Sequence, residues 1–479
     1  MDVQERIKIQ MDEVRHMELR KLDKGEYART RALWENVFDE DSKAFLDYYY
    51  FFKTRDNEIY VIEEDGDIRS MLHLNPYQIQ AETEWFEGNY IIAVATEEAY
   101  RKRGYMGEML RKSMRDMYNR KELFTFLMPA EEKIYTPYDF RFVYAQNVWM
   151  YTILDDKSPK ECLRAGTAFG RITGLYAEEA RTKREEVWVS EAGIGDGAAL
   201  AGFFNTYFAD GFQVYAVRNE SYYQTMLFEQ QSENGGIRLL KKEEGIVGTF
   251  LYGDEDGLEI REPLYLKEYE TDFWDAVHSL CKERGKTQAA VYAGIDKSNE
   301  GGRPAVLQSA GEEKNADCVE SLPAGVTERL KKPVIMVRII HLESLLKILK
   351  VKEGEEIDCS FAVLDSILPQ NSRVWKLQSK SVKPYTEPDD EEFELEDTEN
   401  EAAVGQEEQT NAVTSGDLLI KETEDSEGVL TIAALTSLLF GYKSVEEAAE
   451  EQGVYLTERL MEELRKIKAL KSVYLNEIV

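Results

Sequence analysis

Cysteine is scarce in this 479-residue chain: there are 4, Cys162, Cys281, Cys318 and Cys359, scattered far from one another. They form neither a disulfide framework nor a CxxC metal motif, and they read as reduced, cytosolic thiols. Histidine is as sparse, with His16, His73, His278 and His341 and no HxxxH or HExxH spacing among them, so no metal is expected. Base falls short of acid, 59 Lys and Arg against 92 Asp and Glu, a net charge of −33. A polyanion of this kind repels phosphate backbones and anionic lipid, which argues against a nucleic-acid or membrane partner. Long apolar runs are missing too. Val334-Ile335-Met336-Val337 stops at Arg338, far short of the ~20 residues a membrane span needs. The N-terminal Met1–Arg6 is charged and lacks the apolar core of a signal peptide. A soluble, cytoplasmic protein is expected.

What is present is ample core material, 43% hydrophobic and 11% aromatic residues, which rules out wholesale disorder. The length suggests roughly three domains. Loop-like breaks fall at Asp155-Asp156-Lys157-Ser158-Pro159 and from Ser298 to Glu313, dividing the chain near 1–152, 153–330 and 331–479. Between Glu387 and Glu427 stand 17 acidic residues against the single Lys421. Such a stretch buries too little apolar area to offset its ordering entropy, so a solvated loop over about 385–428 is expected in the third unit.

The first unit alternates strand and helix signals. Ile59–Ile62 and Ile68–Leu74 flank Asp65-Gly66, a hairpin pattern. Tyr90–Ala95 is apolar on both faces, as a central strand should be. After it come Arg101-Lys102-Arg103-Gly104 and then Met106, Met109, Leu110, Met114 and Met117, whose three- and four-residue spacing predicts an amphipathic helix. Phe124–Met128 is a further strand, closed by Pro129. A basic, glycine-bearing turn between a strand and a helix suits an anion, since helix N-termini leave backbone N–H groups unpaired and carry partial positive charge.

Arg101-x-x-Gly104, with Met106 and Gly107 following, resembles the acetyl-CoA loop of the Gcn5-related N-acetyltransferase (GNAT) family. The bulky Met106 at a small-residue position is similar to the "enhanced intracellular survival" subgroup. That resemblance implies α/β architecture with mixed sheets: tandem GNAT acyl-CoA acyltransferase folds followed by a sterol-carrier-protein-like α+β domain. It implies a catalytic unit at 1–152, a second, inactive GNAT-like unit at 153–330, and the carrier-like domain at 331–479. Val94, Ala95 and Thr96 would offer backbone groups to the pantetheine arm of acetyl-CoA. Lys102, Arg103, Gly104, Tyr105, Met106 and Gly107 would cradle the pyrophosphate. Ala130-Glu131-Glu132-Lys133-Ile134-Tyr135 aligns with the subgroup's acid-bearing segment, placing Ala130 and Glu131 beside the cofactor and making Tyr135 the general acid. A phenol with reference pKa near 10 can protonate a departing thiolate without being ionised at neutral pH. The resemblance gives the base to the α-carboxylate of Val479, with His73 and Glu131 as alternatives.

Elsewhere, Gly193-x-Gly195-x-x-Ala198 after Trp188-Val189 imitates a dinucleotide fingerprint but lacks the acidic residue that should close the next strand. It reads as a loop before a helix. In the third unit Ser444-x-x-Glu447 is a capping box, and the leucines of the last helices read as core. The expected activity is direct acetyl transfer from acetyl-CoA to a primary amine, of a polycationic small molecule or a lysine side chain. The alternative is a non-catalytic lipid-binding or scaffold protein. A homo-oligomer, hexameric in relatives, is expected from the resemblance only.

Overall fold

The structure, a computed structural model, describes residues 17–154, 186–293, 325–379 and 416–477. Val479, the expected acidic loop as far as residue 415, the loops at 155–159 and 298–313, and Cys162 and Cys318 lie outside the described residues. The far end of that expected loop is not a loop: Leu418–Thr423 is a strand paired antiparallel with Val374–Ser379.

A 14-stranded sheet runs through the chain in the order β1-β2-β3-β4-β5-β13-β6-β12-β11-β10-β9-β7, with β8 branching from β3 and β21 pairing with β8. Its first arm is β1 (Met17–Lys21), β2 (Glu58–Glu64), β3 (Asp67–Ala81), β4 (Glu84–Thr96) and β5 (Phe124–Leu127). The central β6 (Arg141–Thr152) follows. The second arm is β7 (Trp188–Glu191), β9 (Gly236–Lys242), β10 (Gly245–Gly253), β11 (Glu259–Tyr265) and β12 (Gln288–Ala293), with β8 (Val214–Ala216) set aside against β3. β13 (Val326–Ile339) closes the sheet between β5 and β6. The arms repeat one plan: the innermost pairs, β4 with β5 and β11 with β12, are parallel, and the outer pairs are antiparallel. Each arm also bends its inner long strand at one left-handed residue, Ala93 (φ 51) in β4 and Glu262 (φ 47) in β11.

Local chemistry accounts for the elements near the site. The β2–β3 turn places Asp65 at φ 55 and Gly66 at φ 87, the two positive angles a tight hairpin turn requires. Helices α1 (Arg31–Val37) and α2 (Lys43–Phe51) cover one face of the first arm, and α2 is capped by Ser42 accepting from Phe45 N. On the other face α3 (Tyr105–Asn119) buries Met109, Leu110, Met114 and Met117 completely, the stripe expected from their spacing. The short α4 (Glu132–Tyr135) follows β5. In the second arm α5 (Gly197–Tyr207) and α6 (Glu220–Ser232) correspond to the pair on the first, and α7 (Glu270–Glu283) lies between β11 and β12 as α3 lies between β4 and β5.

Val334–Ile339, which the division above puts in the third unit, pairs with β5 (Met336↔Leu127) and β6 (Met336↔Phe142) in the heart of the shared sheet. The reason is in the residues: Val334–Ile340 is buried throughout, and only a central strand covers both faces of such a run.

The C-terminal domain holds α8 (Leu342–Ile348), β14 (Lys350–Val351), β15 (Asp358–Leu364), β16 (Val374–Ser379), β17 (Leu418–Thr423), β18 (Gly428–Thr431), α9 (Ile432–Leu439), α10 (Val445–Ala449), β19 (Tyr455–Leu456), α11 (Glu458–Leu464), β20 (Ile467–Lys468) and β21 (Val473–Tyr474). Its sheet has the order β17-β16-β15-β18-β19. Every residue of α9 is buried, and the helix packs against β13 and β6. A fully buried ion pair, Arg338 to Asp365 at 2.5 Å, ties β13 to this domain. Asp365 also accepts from Leu368 N at 2.8 Å and Asn371 Nδ2 at 2.9 Å, so the charge is well satisfied. The chain then returns: β21 lies parallel to β8 at the edge of the large sheet.

Candidate active site

β4 and β5 run parallel but meet at a single register pair, Tyr90↔Phe126. Beyond it they part, and Ile91–Thr96 is paired by the described strands only on its β3 side. The left-handed Ala93 shifts the β3–β4 register between Met71 and His73. Val94 and Thr96 are half-buried and Ala95 is buried, so this stretch lines the opening with backbone groups. At the base of the opening the Tyr90 hydroxyl reaches the backbone of Met128, just past the end of β5.

At the far end of β4 comes the basic turn. Arg101, Lys102, Arg103 and Gly104 are all exposed. Lys102 stands at φ 64 and Gly104 at φ 87. Glycine bears this conformation easily, but a lysine there is strained. Left-handed residues on either side of Arg103 curl the turn into a concave run of backbone that leads into α3. Gly104 caps α3 without a side chain, which leaves the first-turn N–H groups facing outward. Arg101 Nε donates back to Thr96 O at 3.2 Å, and Arg103 donates to Ala99 O at 3.1 Å while lying 4.5 Å from the Tyr100 ring centre. Arg103 also lies 3.6 Å from the buried carboxylate of Glu64. In the first turn of α3, Tyr105 and Gly107 are buried and Met106 is half-buried. A side chain on Gly107 would press to 2.6 Å of the Tyr138 hydroxyl.

Of the remaining candidates, Ala130 and Glu131 are exposed, and Glu131 pairs with Lys133 at 2.6 Å. Tyr135 is 9% exposed, with its ring 5.9 Å from that of Phe140. Burial pushes its hydroxyl up to about 12. His73 is not at the opening. It lies fully buried beside Trp34 (5.4 Å) and Tyr49 on the α1–α2 face, and burial pushes it down to about 3, so it stays neutral. Among the described residues no three His, Cys, Asp or Glu gather to hold a metal, and no helix is long and apolar enough to cross a membrane.

Val479 lies outside the described residues, but the segment before it is described. Asn476 bonds Gln146 of β6. Glu477 Oε1 accepts from Arg218 at 2.7 Å and from the Tyr222 hydroxyl at 3.1 Å. Sequence reasoning did not show the Tyr90 hydroxyl at the base of the opening, the left-handed backbone of Lys102 or the charges around Glu477.

Residues 18–143 match the family model of the acetyltransferase (GNAT) domain, and residues 342–476 match that of the sterol carrier protein domain. The chain carries a GNAT acetyltransferase domain. Acyl transfer is the reaction class of that domain, whose span contains the β4–β5 opening, the basic turn and Tyr135. No curated protein matches the sequence. Solved structures similar over 97% of this chain include a conserved protein of unknown function from Enterococcus faecalis, titled a probable N-acyltransferase (15% identity, 99% of that chain, TM-score 0.68). A GCN5-related N-acetyltransferase from Anabaena variabilis is similar at 14% identity, 100% of that chain and TM-score 0.67. Eis1 from Mycobacterium abscessus is similar at 10% identity, 100% of that chain and TM-score 0.59. Likenesses at these identities carry the GNAT fold.

Proposed function

We propose that the GNAT domain moves an acetyl group from acetyl-CoA directly to a primary amine. The observation that carries this reading is the exposed turn Arg101–Gly104, left-handed at Lys102 and Gly104, lying between the edge of β4 that no described strand pairs and the N-terminus of α3. Its donor set fits a pyrophosphate: backbone N–H groups, a helix N-terminus and three cationic side chains in a chain of net charge −33. Lys102 to Gly107 would hold the phosphates, and the edge Val94–Thr96 would take the pantetheine amides and polarise the thioester carbonyl. Bound there, acetyl-CoA would supply an electrophilic acyl carbon and a thiolate leaving group. Tyr135 supports the second half of the reaction. Its phenol, held protonated by burial, donates to the departing sulfur. The attacking nitrogen gives up its proton to a base, the role the resemblance assigns to the Val479 α-carboxylate, and exchange with solvent returns a proton to the phenol. The chain's negative charge favours approach of a cationic acceptor.

Isothermal titration of acetyl-CoA tests the turn. The native chain is expected to bind saturably. Changing both Arg101 and Arg103 to Ala removes two cations, each worth about 1.5–3 kcal/mol when bonded to phosphate, and should weaken binding at least tenfold. Absence of binding by the native chain overturns the reading.

A further inference from the structure

The backbone that follows Tyr135 is gripped from two sides. α4 passes directly into a single 3-10 turn, Thr136–Tyr138, and Asp139 then reverses the chain into β6 in the left-handed conformation (φ 66). A residue other than glycine persists there only where its surroundings fix it. Two arginines of neighbouring strands do so. Arg338 of β13, 0% exposed, donates through Nε to Tyr138 O at 3.3 Å and lies 3.8 Å from the Asp139 carboxylate. Arg141 begins β6, opposite Val337 in the β6–β13 register, and donates through Nη1 to Thr136 O at 3.4 Å and Phe140 O at 2.9 Å. Guanidinium groups thus hold the carbonyls of Thr136, Tyr138 and Phe140.

Each arginine answers to a carboxylate of the C-terminal domain. Asp365, fully buried, takes Arg338 at 2.5 Å. Glu451, just past α10, lies 3.8 Å from Arg141 and takes Lys443 at 3.0 Å. Asp139 feels both arginines: burial raises its carboxyl, and Arg338 and Arg141 bring it down. At the other end of the segment, the Tyr442 hydroxyl of the same domain is raised by burial and then by the charge of Glu132, the first residue of α4. The Tyr135 phenol therefore hangs from a stretch, Glu132–Arg141, that faces the C-terminal domain at its start and is tied to it at its turn and its end. Phe140, the ring packed 5.9 Å from that of Tyr135, belongs to the same stretch.

We propose that Arg141 and Arg338, with Glu451 and Asp365 behind them, are positioning residues for Tyr135, so that the C-terminal domain completes the acid side of the site in the GNAT domain. This rests on the acetyl-transfer reading above, in which Tyr135 protonates the departing sulfur. A general acid works only within hydrogen-bond reach of the atom it protonates, and a displacement of about 1 Å can cost about 100-fold in rate. α4 is a single helical turn, too short to set that distance alone. The two grips differ in what they can reveal. Removing Arg338 or Asp365 leaves the other an uncompensated buried charge and puts the whole fold at risk. Arg141 and Glu451 are half-buried, and the loss of their pair leaves stability nearly unchanged.

The test is Arg141→Met in the full chain, a change that keeps most of the stem's volume and should fold, with spermidine as acceptor. Thiol release should show kcat lowered about tenfold and the KM for acetyl-CoA within about twofold of native. Arg141→Lys should recover part of the rate, since one ammonium can still serve one of the carbonyls. Hydrogen–deuterium exchange should quicken in the peptide covering 132–140. Glu451→Gln should move rate and exchange the same way by a smaller factor. In a Tyr135→Phe background Arg141→Met should cost nothing more, because the group it positions is absent. Losses that multiply, or a native kcat in Arg141→Met, overturn the proposal. Native rate and native exchange in Glu451→Gln overturn the part given to the C-terminal domain. If the native chain releases no thiol, transfer to spermidine falls and exchange at 132–140 alone decides the positioning: faster in both variants supports it, unchanged overturns it.

Discussion

Tyr135→Phe is expected to lower kcat by about 10²–10⁴-fold, the usual contribution of one positioned proton donor, while the affinity for acetyl-CoA stays within about twofold. The split follows from position. Tyr135 lies on the short helix after β5, buried against Phe140, whereas the cations that would hold phosphate lie on the exposed turn before α3. Deleting one hydroxyl leaves the packed ring in place, so the variant should fold. Because burial raises the hydroxyl to about 12, its donating form is present across the neutral range and falls away only as pH rises through that value. The raised value has a linked effect on stability: the gain from a neutral buried phenol is complete below the unfolded value near 10 and lost as pH climbs toward 12. Steady-state release of free thiol, measured with amine saturating, checks the prediction. A variant within threefold of native kcat would mean that solvent protonates the sulfur and Tyr135 is core.

Much of this site is local and therefore legible in sequence. The strand at Tyr90–Ala95, the turn at Arg101–Gly104 and the methionine stripe of α3 are neighbours in the chain, and each carries its own periodicity. The left-handed Ala93 and Lys102 could not be read there, because neither residue type favours that conformation; it is imposed by the β3–β4 register and by entry into α3. The repeat of the two arms was expected from the family resemblance and not from the residues themselves. It consists of strand order and one bend per arm rather than recurring residues, and the second arm passes from β11 to α7 through Lys267–Tyr269 with no basic glycine turn. The pairing of Val334–Ile339 with β5 and β6 was not legible for the same reason: a strand's neighbours are chosen by long-range pairing, which composition does not encode. Arg218, Glu262 and Glu477 come from separate parts of the chain up to 259 positions apart, and only the fold makes them a cluster.

That cluster also supports the second large effect. Arg218→Met should destabilise the protein by about 3–5 kcal/mol, the cost of leaving buried carboxylates without their cation. Arg218 is central because it spans three parts of the chain: it donates to Ala216 O in β8 at 2.7 Å, to Glu262 at the bend of β11, and to Glu477 beyond β21. Its guanidinium also lies 5.0 Å from the Tyr474 ring centre and 4.5 Å from that of Tyr222. Met replaces much of the stem's volume, so the loss should come from charge rather than from a cavity. The sign with pH separates the two causes. Burial already raises Glu262 even beside Arg218; without the arginine, Glu262 would favour the protonated form more strongly. Groups whose folded pKa is raised cost nothing below the unfolded value near 4.3 and cost progressively more as pH rises toward the folded value. Urea midpoints should therefore fall further behind native at pH 8 than at pH 5, and adding Glu262→Gln and Glu477→Gln to Arg218→Met should recover most of the difference. A loss below about 1 kcal/mol, or one equal at both pH values, would mean that the apolar contacts of Tyr474 and Leu475 hold the C-terminal segment in the sheet and the ion cluster does not.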